Sequence, residues 1–105
     1  MSASEHLSPR LFHGTAYYFS EGEKVEPTQE THPLEGKYAF ATTEMSDAQH
    51  WAAQAAQREG KMFGPVYEVE SPDSMRHPHG ISIHVSKTGF TPKKVVGWGV
   101  NPDIQ

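Results

Sequence analysis

The chain contains no cysteine, and this absence excludes several kinds of chemistry. Without thiols there is no disulfide framework, no cysteine nucleophile and no cysteine-ligated zinc. No basic run is longer than Lys93-Lys94 and the net charge is −4, so we expect no nucleic-acid partner. No hydrophobic run is long enough to span a bilayer, and residues 1–9 lack the apolar core of a signal peptide. We therefore expect a cytoplasmic protein without a membrane partner.

The residues that are present suit one small domain. A length of 105 residues leaves no room for two domains, and a hydrophobic content of 35% predicts a modest core. Five Phe, four Tyr and two Trp must therefore supply much of its bulk. We predict a flexible N-terminal segment at residues 1–9, a single domain over residues 10–105, and a monomer.

Alternating hydrophobic residues predict five strands. They are placed at residues 11–13, 37–42, 66–70, 81–86 and 94–100. The order of elements is strand, long loop, strand, helix and then three strands, without a regular βαβ alternation. This order favours the α+β class with a mainly antiparallel sheet.

The helix is predicted between the second and third strands. Its apolar stripe consists of Ala48, Trp51, Ala52, Ala55 and Ala56. A capping box that begins at Ser46 is predicted to start it, and Gly60 to end it. The alanines allow close approach to a sheet, and we expect Trp51 to be its large core anchor.

Residues 16–36 form the longest connection, and two interpretations of it stay open. Long loops in compact domains are often binding loops, but this one also fits a solvated surface loop pinned by Tyr17-Tyr18-Phe19. In the last strand, Gly97 and Gly99 suggest a bulge or close packing.

The tripeptide His13-Gly14-Thr15 at the end of the first strand is the main candidate site. Gly14 has no Cβ, so a ligand can approach closely, and Thr15 adds a hydroxyl beside the imidazole. Tyr38 and Phe40 share one face of the next strand and would supply an aromatic wall for a flat heterocycle. The alternative is a histidine in a surface turn beside aromatic residues that pack in the core.

Two further clusters are weaker candidates. His77, His79 and His84 follow no known metal-ligand spacing, so we expect no metal site. Glu68 and Glu70 lie on one strand face, and Asp73 lies in the turn beyond. In one interpretation, a carboxylate there stabilises a cationic transition state. In the other, Glu68 and Glu70 belong to a solvated edge face and Asp73 is a residue that favours the turn.

Several short segments between Leu11 and Gly97 have an order and spacing that resemble the rifamycin ADP-ribosyltransferase family. The matching segments are residues 11–15, 22–27, 40–42, 46–48, 51–53, 66–70, 86–88 and 95–97, with Pro92. The resemblance implies a small ADP-ribosyltransferase fold, with a split antiparallel sheet and NAD in its cleft. It also implies transfer of ADP-ribose from NAD, the co-substrate, to a hydroxyl of a small molecule such as a rifamycin antibiotic.

The resemblance assigns roles to individual residues. His13 would hold the NAD ribose, and Gly14 and Thr15 would line the nicotinamide pocket. The family's strand tyrosine corresponds to Phe40, with Tyr38 as a substitute after a shift of register. The family's catalytic aspartate corresponds to Asp73, although another register places His77 there.

These assignments imply His13, Tyr38 and Asp73 as catalytic residues, and His13, Gly14, Thr15 and Phe40 as NAD contacts. Two alternatives remain on the same scaffold. One is a regulatory module that binds NAD or another ligand without transfer, and the other is a transferase that modifies proteins.

Overall fold

A computed structural model describes residues 9–103, so the predicted flexible segment lies outside the described residues apart from Pro9. The described part has one helix and a seven-stranded antiparallel sheet, which confirms the α+β class. The elements are β1 (Leu11–Gly14), β2 (Gln29–Glu30), β3 (Lys37–Thr42), α1 (Met45–Glu59), β4 (Phe63–Glu70), β5 (Met75–Arg76), β6 (Ile83–Ser86) and β7 (Thr91–Val100). The sheet order is β5-β6-β3-β1-β4-β7, and β2 pairs with β3. No helix in residues 9–103 has the length and apolar character needed to cross a bilayer.

Strand boundaries depart from the prediction where pairing overrides local preference. β4 starts three residues before the predicted Val66, because Phe63, Gly64 and Pro65 pair with the end of β7. Glycine and proline are poor strand formers, so only the partner strand accounts for this start. β6 starts at Ile83, and Ile81 instead lies in a turn with 89% of its surface exposed.

The helix ends as predicted but begins differently. The N-cap is Glu44, which makes no side-chain capping bond, so the predicted capping box at Ser46 is wrong. Thr42 at the end of β3 organises this turn instead. Its hydroxyl oxygen accepts the Glu44 N–H at 3.1 Å, and its hydroxyl donates to the Asp47 carboxylate at 3.3 Å. Gly60 closes the helix in the left-handed conformation with φ 70°, as a C-terminal glycine commonly does.

The helix packs on the sheet by direct backbone contact. A Cβ on Gly14 would overlap the Ala48 carbonyl oxygen and lie 2.6 Å from the Ala52 nitrogen. Gly64 and Gly99 are equally close to the helix backbone, so the close packing predicted at Gly99 is present. Gly14 was predicted to admit a ligand, but the helix occupies that space.

The opposite face of the sheet carries a second core and anchors the long connection. This core consists of Leu11, Val25, Ala39, Ala41, Tyr67, Val69 and Phe90. Val25 exchanges backbone hydrogen bonds of 2.8 and 3.1 Å with Phe90, and the Phe19 N–H donates to the Tyr67 hydroxyl at 2.9 Å. Residues 16–36 are thus attached to the sheet at several points along their length.

Candidate functional site

The sheet opens between β1 and β3, and His13 lies at the opening. These two strands share a single residue pair, Phe12 with Thr42, before they diverge. Beyond that pair the His13 Nδ1 lies 2.9 Å from the Phe40 carbonyl oxygen. A carbonyl only accepts hydrogen bonds, so Nδ1 carries the proton, and Nε2 of the neutral ring keeps a free lone pair. Burial lowers the pKa of His13 more than the hydrogen bond to Phe40 raises it. The net lowering favours this neutral form of the ring.

A cleft of about 320 Å³ adjoins this histidine and is named here the His13 cleft. The sheet contributes His13, Gly14, Gln29 and Phe40, and the helix contributes Trp51, Gln54, Ala55 and Arg58. The helix residues follow the spacing of a single helical stripe, which brings an aromatic ring, an amide and a guanidinium to the cleft. Among the described residues that line the cleft, none is a carboxylate. It suits a ligand with a flat ring and an anionic group.

Three of the predicted site residues meet in this cleft. His13, Gly14 and Phe40 all line it. Thr15 and Tyr38 do not: the Thr15 N–H donates to the Pro65 carbonyl at 3.1 Å, and Tyr38 is buried with 4% of its surface exposed. Phe40 is therefore the aromatic residue of β3 that reaches the cleft.

Asp73 belongs to a different part of the molecule, named here the Asp73 cluster with Ser71, Ser86 and Thr88. Its carboxylate accepts hydrogen bonds from the Ser71 hydroxyl at 2.6 Å, the Thr88 hydroxyl at 2.9 Å and the Ser86 hydroxyl. The Thr88 N–H adds a fourth bond at 3.3 Å. These bonds, led by that of Ser71, hold the pKa of Asp73 well below its usual range. Asp73 does not line the His13 cleft, and its contacts tie the β4–β5 turn to the β6–β7 turn.

The two glutamates of β4 form surface ion pairs. Glu68 lies 3.0 Å from the Arg10 guanidinium, and Glu70 lies 3.4 Å from the Lys93 ammonium. The Arg10 hydrogen bond lowers the pKa of Glu68. Both contacts are solvated surface pairs, and exposed pairs of this kind contribute little to stability. The predicted sheet edge is wrong, because β4 lies between β1 and β7.

His77 lies next to Phe40 and lines a second hollow. Its ring centroid is 6.5 Å from that of Phe40 with 30° between the ring planes, and only 8% of its surface is exposed. The second hollow, named here the His77 hollow, measures about 330 Å³. It shares the side chains of Phe40 and Trp51 with the His13 cleft. Trp51 was predicted to be a core anchor, but it is half-buried and forms a wall of both cavities.

The other two histidines of the predicted cluster are His79 and His84. Among residues 9–103, no three His, Asp or Glu side chains are grouped closely enough to hold a metal ion. His84 lies on β6, and burial and the nearby Arg76 lower its pKa.

The helix and β2 contribute cleft residues that are absent from the sequence-based prediction. Arg58 and Gln54 were not singled out, although they share a stripe with Trp51 at helical spacing, which is a detectable signal. Gln29 carries no such signal, because only its pairing with Tyr38 brings it to the opening.

Comparisons of the chain with protein-family models, curated proteins and solved structures found no match.

Proposed function

We propose that this chain has a fold of the ADP-ribosyltransferase type and binds NAD in the His13 cleft. In this proposal it transfers ADP-ribose to a hydroxyl of a small molecule, with a rifamycin as the first acceptor to test. One observation carries the proposal. His13, Gly14 and Phe40, which the resemblance assigns to NAD, line one cleft at the place where the sheet opens.

The lining of the cleft suggests how NAD would bind. The Phe40 and Trp51 rings offer flat faces for the nicotinamide ring. The His13 Nε2 lone pair would accept a hydrogen bond from a ribose hydroxyl, since Nδ1 already donates to Phe40. Arg58 would contact the diphosphate, because a guanidinium pairs with phosphate oxygens through charge-assisted hydrogen bonds.

The transfer step follows from the chemistry of NAD. The bond between ribose C1′ and the nicotinamide nitrogen breaks, and its electron pair leaves with neutral nicotinamide. The acceptor oxygen then bonds to C1′, and its proton passes to water. Positive charge develops on the ribose during this step, and polar groups that are already in place stabilise such a charge.

Binding of NAD without transfer is the second candidate, and a specific observation favours it. A carboxylate would stabilise the ribose cation, yet none of the described residues that line the His13 cleft is a carboxylate. Asp73, the acid assigned by the resemblance, is engaged by Ser71, Ser86 and Thr88.

One pair of measurements separates these candidates. Calorimetry measures NAD binding, and mass spectrometry of protein, NAD and a rifamycin measures the ADP-ribose adduct and released nicotinamide. An adduct supports transfer, whereas binding without nicotinamide release supports the second candidate. If NAD does not bind, both candidates fail.

Arg58→Gln tests the orientation of NAD in the cleft. We expect it to lower NAD affinity about three- to tenfold, since it removes one charge-assisted contact. Affinity for nicotinamide riboside, which lacks the diphosphate, should not change. Arg76→Gln is the matched control because Arg76 is exposed and does not line the cleft. A loss that is equal for both ligands contradicts a phosphate contact.

A further inference from the structure

The His77 hollow is a second candidate binding site, and its aromatic lining favours a flat occupant. The planes of Phe40 and His77 lie 30° apart, and the His79 ring centroid is 6.0 Å from that of His77. Trp51 and Ile83 complete the apolar part of the lining. Aromatic walls favour rings that stack in offset or edge-to-face geometry.

The hydrogen bonds of His77 determine which polar group the hollow offers. The His79 N–H donates to His77 Nδ1 at 3.0 Å, so Nδ1 carries no proton and Nε2 carries it. His77 Nε2 lies 2.8 Å from the Thr31 hydroxyl oxygen and therefore donates to it. The Thr31 hydroxyl proton is then free to donate to a ligand. No Asp, Glu, Lys or Arg is among the described lining residues, so the preferred occupant is uncharged.

The size of the hollow limits the occupant to a small ring system. Its volume of about 330 Å³ is near the lower end of the range for ligand pockets, which starts at about 300 Å³. One or two fused rings fit this space, whereas a macrocyclic antibiotic would have to extend beyond the rim. The hollow also shares Phe40 and Trp51 with the His13 cleft, so its occupant would lie beside the proposed NAD site.

We infer that the His77 hollow binds the acceptor through an uncharged part with one or two flat rings, and that the acceptor carries a hydroxyl group. This inference rests on the proposed function. The acceptor hydroxyl forms the new bond to ribose C1′, nicotinamide leaves with the electron pair of the broken bond, and the hydroxyl proton passes to water.

Two substitutions in the hollow test this assignment with naphthol as the probe. Thr31→Val removes the free hydroxyl at nearly constant volume. His79→Ala removes an exposed ring but keeps the backbone N–H that donates to His77. Each should raise the KM for naphthol about three- to tenfold, the equivalent of one hydrogen bond or ring contact. The KM for NAD and the release of nicotinamide into water should not change.

Matched controls are available on exposed positions outside the hollow. Thr28→Val and His50→Ala replace residues of the same types and should leave every constant unchanged. A rise in the KM for NAD in the Thr31 and His79 variants, or no change in any constant, would overturn the assignment.

Direct binding separates failure of this inference from failure of the proposed function. Naphthol should shift the NMR signals of the Ile83 methyl groups, which line the hollow and not the His13 cleft, but not the indole N–H signal of Trp98, which lines neither. If NAD does not bind, the proposed function and the acceptor role both fail, while an Ile83 shift still supports a ring-binding hollow. If NAD is turned over but naphthol leaves Ile83 unaffected, the proposed function stands and the hollow is not the acceptor site.

Discussion

The His13 cleft and the Asp73 cluster both gather polar side chains near the ends of strands, but they use them in opposite ways. In the Asp73 cluster, four donors from Ser71, Ser86 and Thr88 satisfy the carboxylate. In the His13 cleft, one imidazole nitrogen binds Phe40 and the other has no hydrogen-bond partner among the described residues. Polar groups that satisfy one another stabilise the fold, whereas a free polar group in a cavity suits a ligand. The difference separates an acid whose hydrogen bonds are satisfied within the fold from a histidine that is a candidate for binding.

The largest effect should come from Gly14→Ala, which disrupts the wall of the His13 cleft. Its Cβ would overlap backbone atoms of Ala48 and Ala52, which cannot move as a flexible side chain can. We expect a loss of about 3 kcal/mol or more in the free energy of unfolding, at the upper end for overpacking. Urea denaturation measures the loss.

Gly97→Ala is the matched control for that substitution. Its Cβ would lie 3.2 Å from the Met45 sulfur, at the end of a flexible side chain. A cost below about 1 kcal/mol is expected there. Equal costs at both glycines would contradict the role given to backbone contact with the helix.

Asp73→Ala should act on stability and spare NAD binding. Removal of four hydrogen bonds to a charged acceptor should cost about 1–3 kcal/mol, with the high exposure of Asp73 limiting the value. Asp73→Asn should cost less because it keeps one acceptor oxygen. Thermal denaturation gives the stability, and calorimetry gives the NAD affinity. A tenfold loss of NAD affinity in a folded Asp73→Asn protein would place this acid in the site after all.

His13→Ala should show the opposite pattern. We expect NAD affinity to fall about tenfold, equivalent to about 1.4 kcal/mol, because the only proposed acceptor for the ribose hydroxyl is lost. The free energy of unfolding should fall by about 1 kcal/mol, since one hydrogen bond to Phe40 is removed. His50→Ala, on the exposed face of the helix, controls for loss of an imidazole. Unchanged NAD affinity in His13→Ala would remove the basis of the proposed function.

The smallest effect should appear in the dependence of stability on pH. Burial lowers the pKa of His13 below its unfolded value of about 6.5, so the unfolded chain binds more protons and stability falls as the pH drops below that value. The pKa of Asp73 is also lowered, and its stabilisation is lost only below about pH 4.

Denaturation curves across this pH range should assign each window to its residue. His13→Gln should flatten the upper window, where His84 also contributes, and Asp73→Asn should flatten the lower one. An Asp73→Asn protein with an unchanged acid limb would contradict the structural role of the cluster.

Local patterns predicted the elements of the fold better than their ends. The second predicted strand matches β3, and Gly60 ends the helix, because alternation and left-handed glycine act over a few residues. The start of β4 depended on β7, and the start of the helix depended on Thr42, which the capping-box pattern does not include.

The candidate site shows the same division between local and long-range information. His13, Gly14 and Phe40 stand out in the sequence because an imidazole, a missing Cβ and an aromatic ring are recognisable as types. Asp73 stands out just as clearly, but the sequence does not show that Ser86 and Thr88, more than ten residues away, surround it.

The sequence by itself determined the α+β class, the position of the helix and the His13-Gly14-Thr15 group at the end of the first strand. These depend on residue type and spacing within single elements. Only the tertiary structure decided that β1 and β3 diverge, that Phe40 rather than Tyr38 reaches the opening, and that Gln29 joins it. Each of these depends on contacts between distant segments, and such contacts leave no periodic trace in the chain.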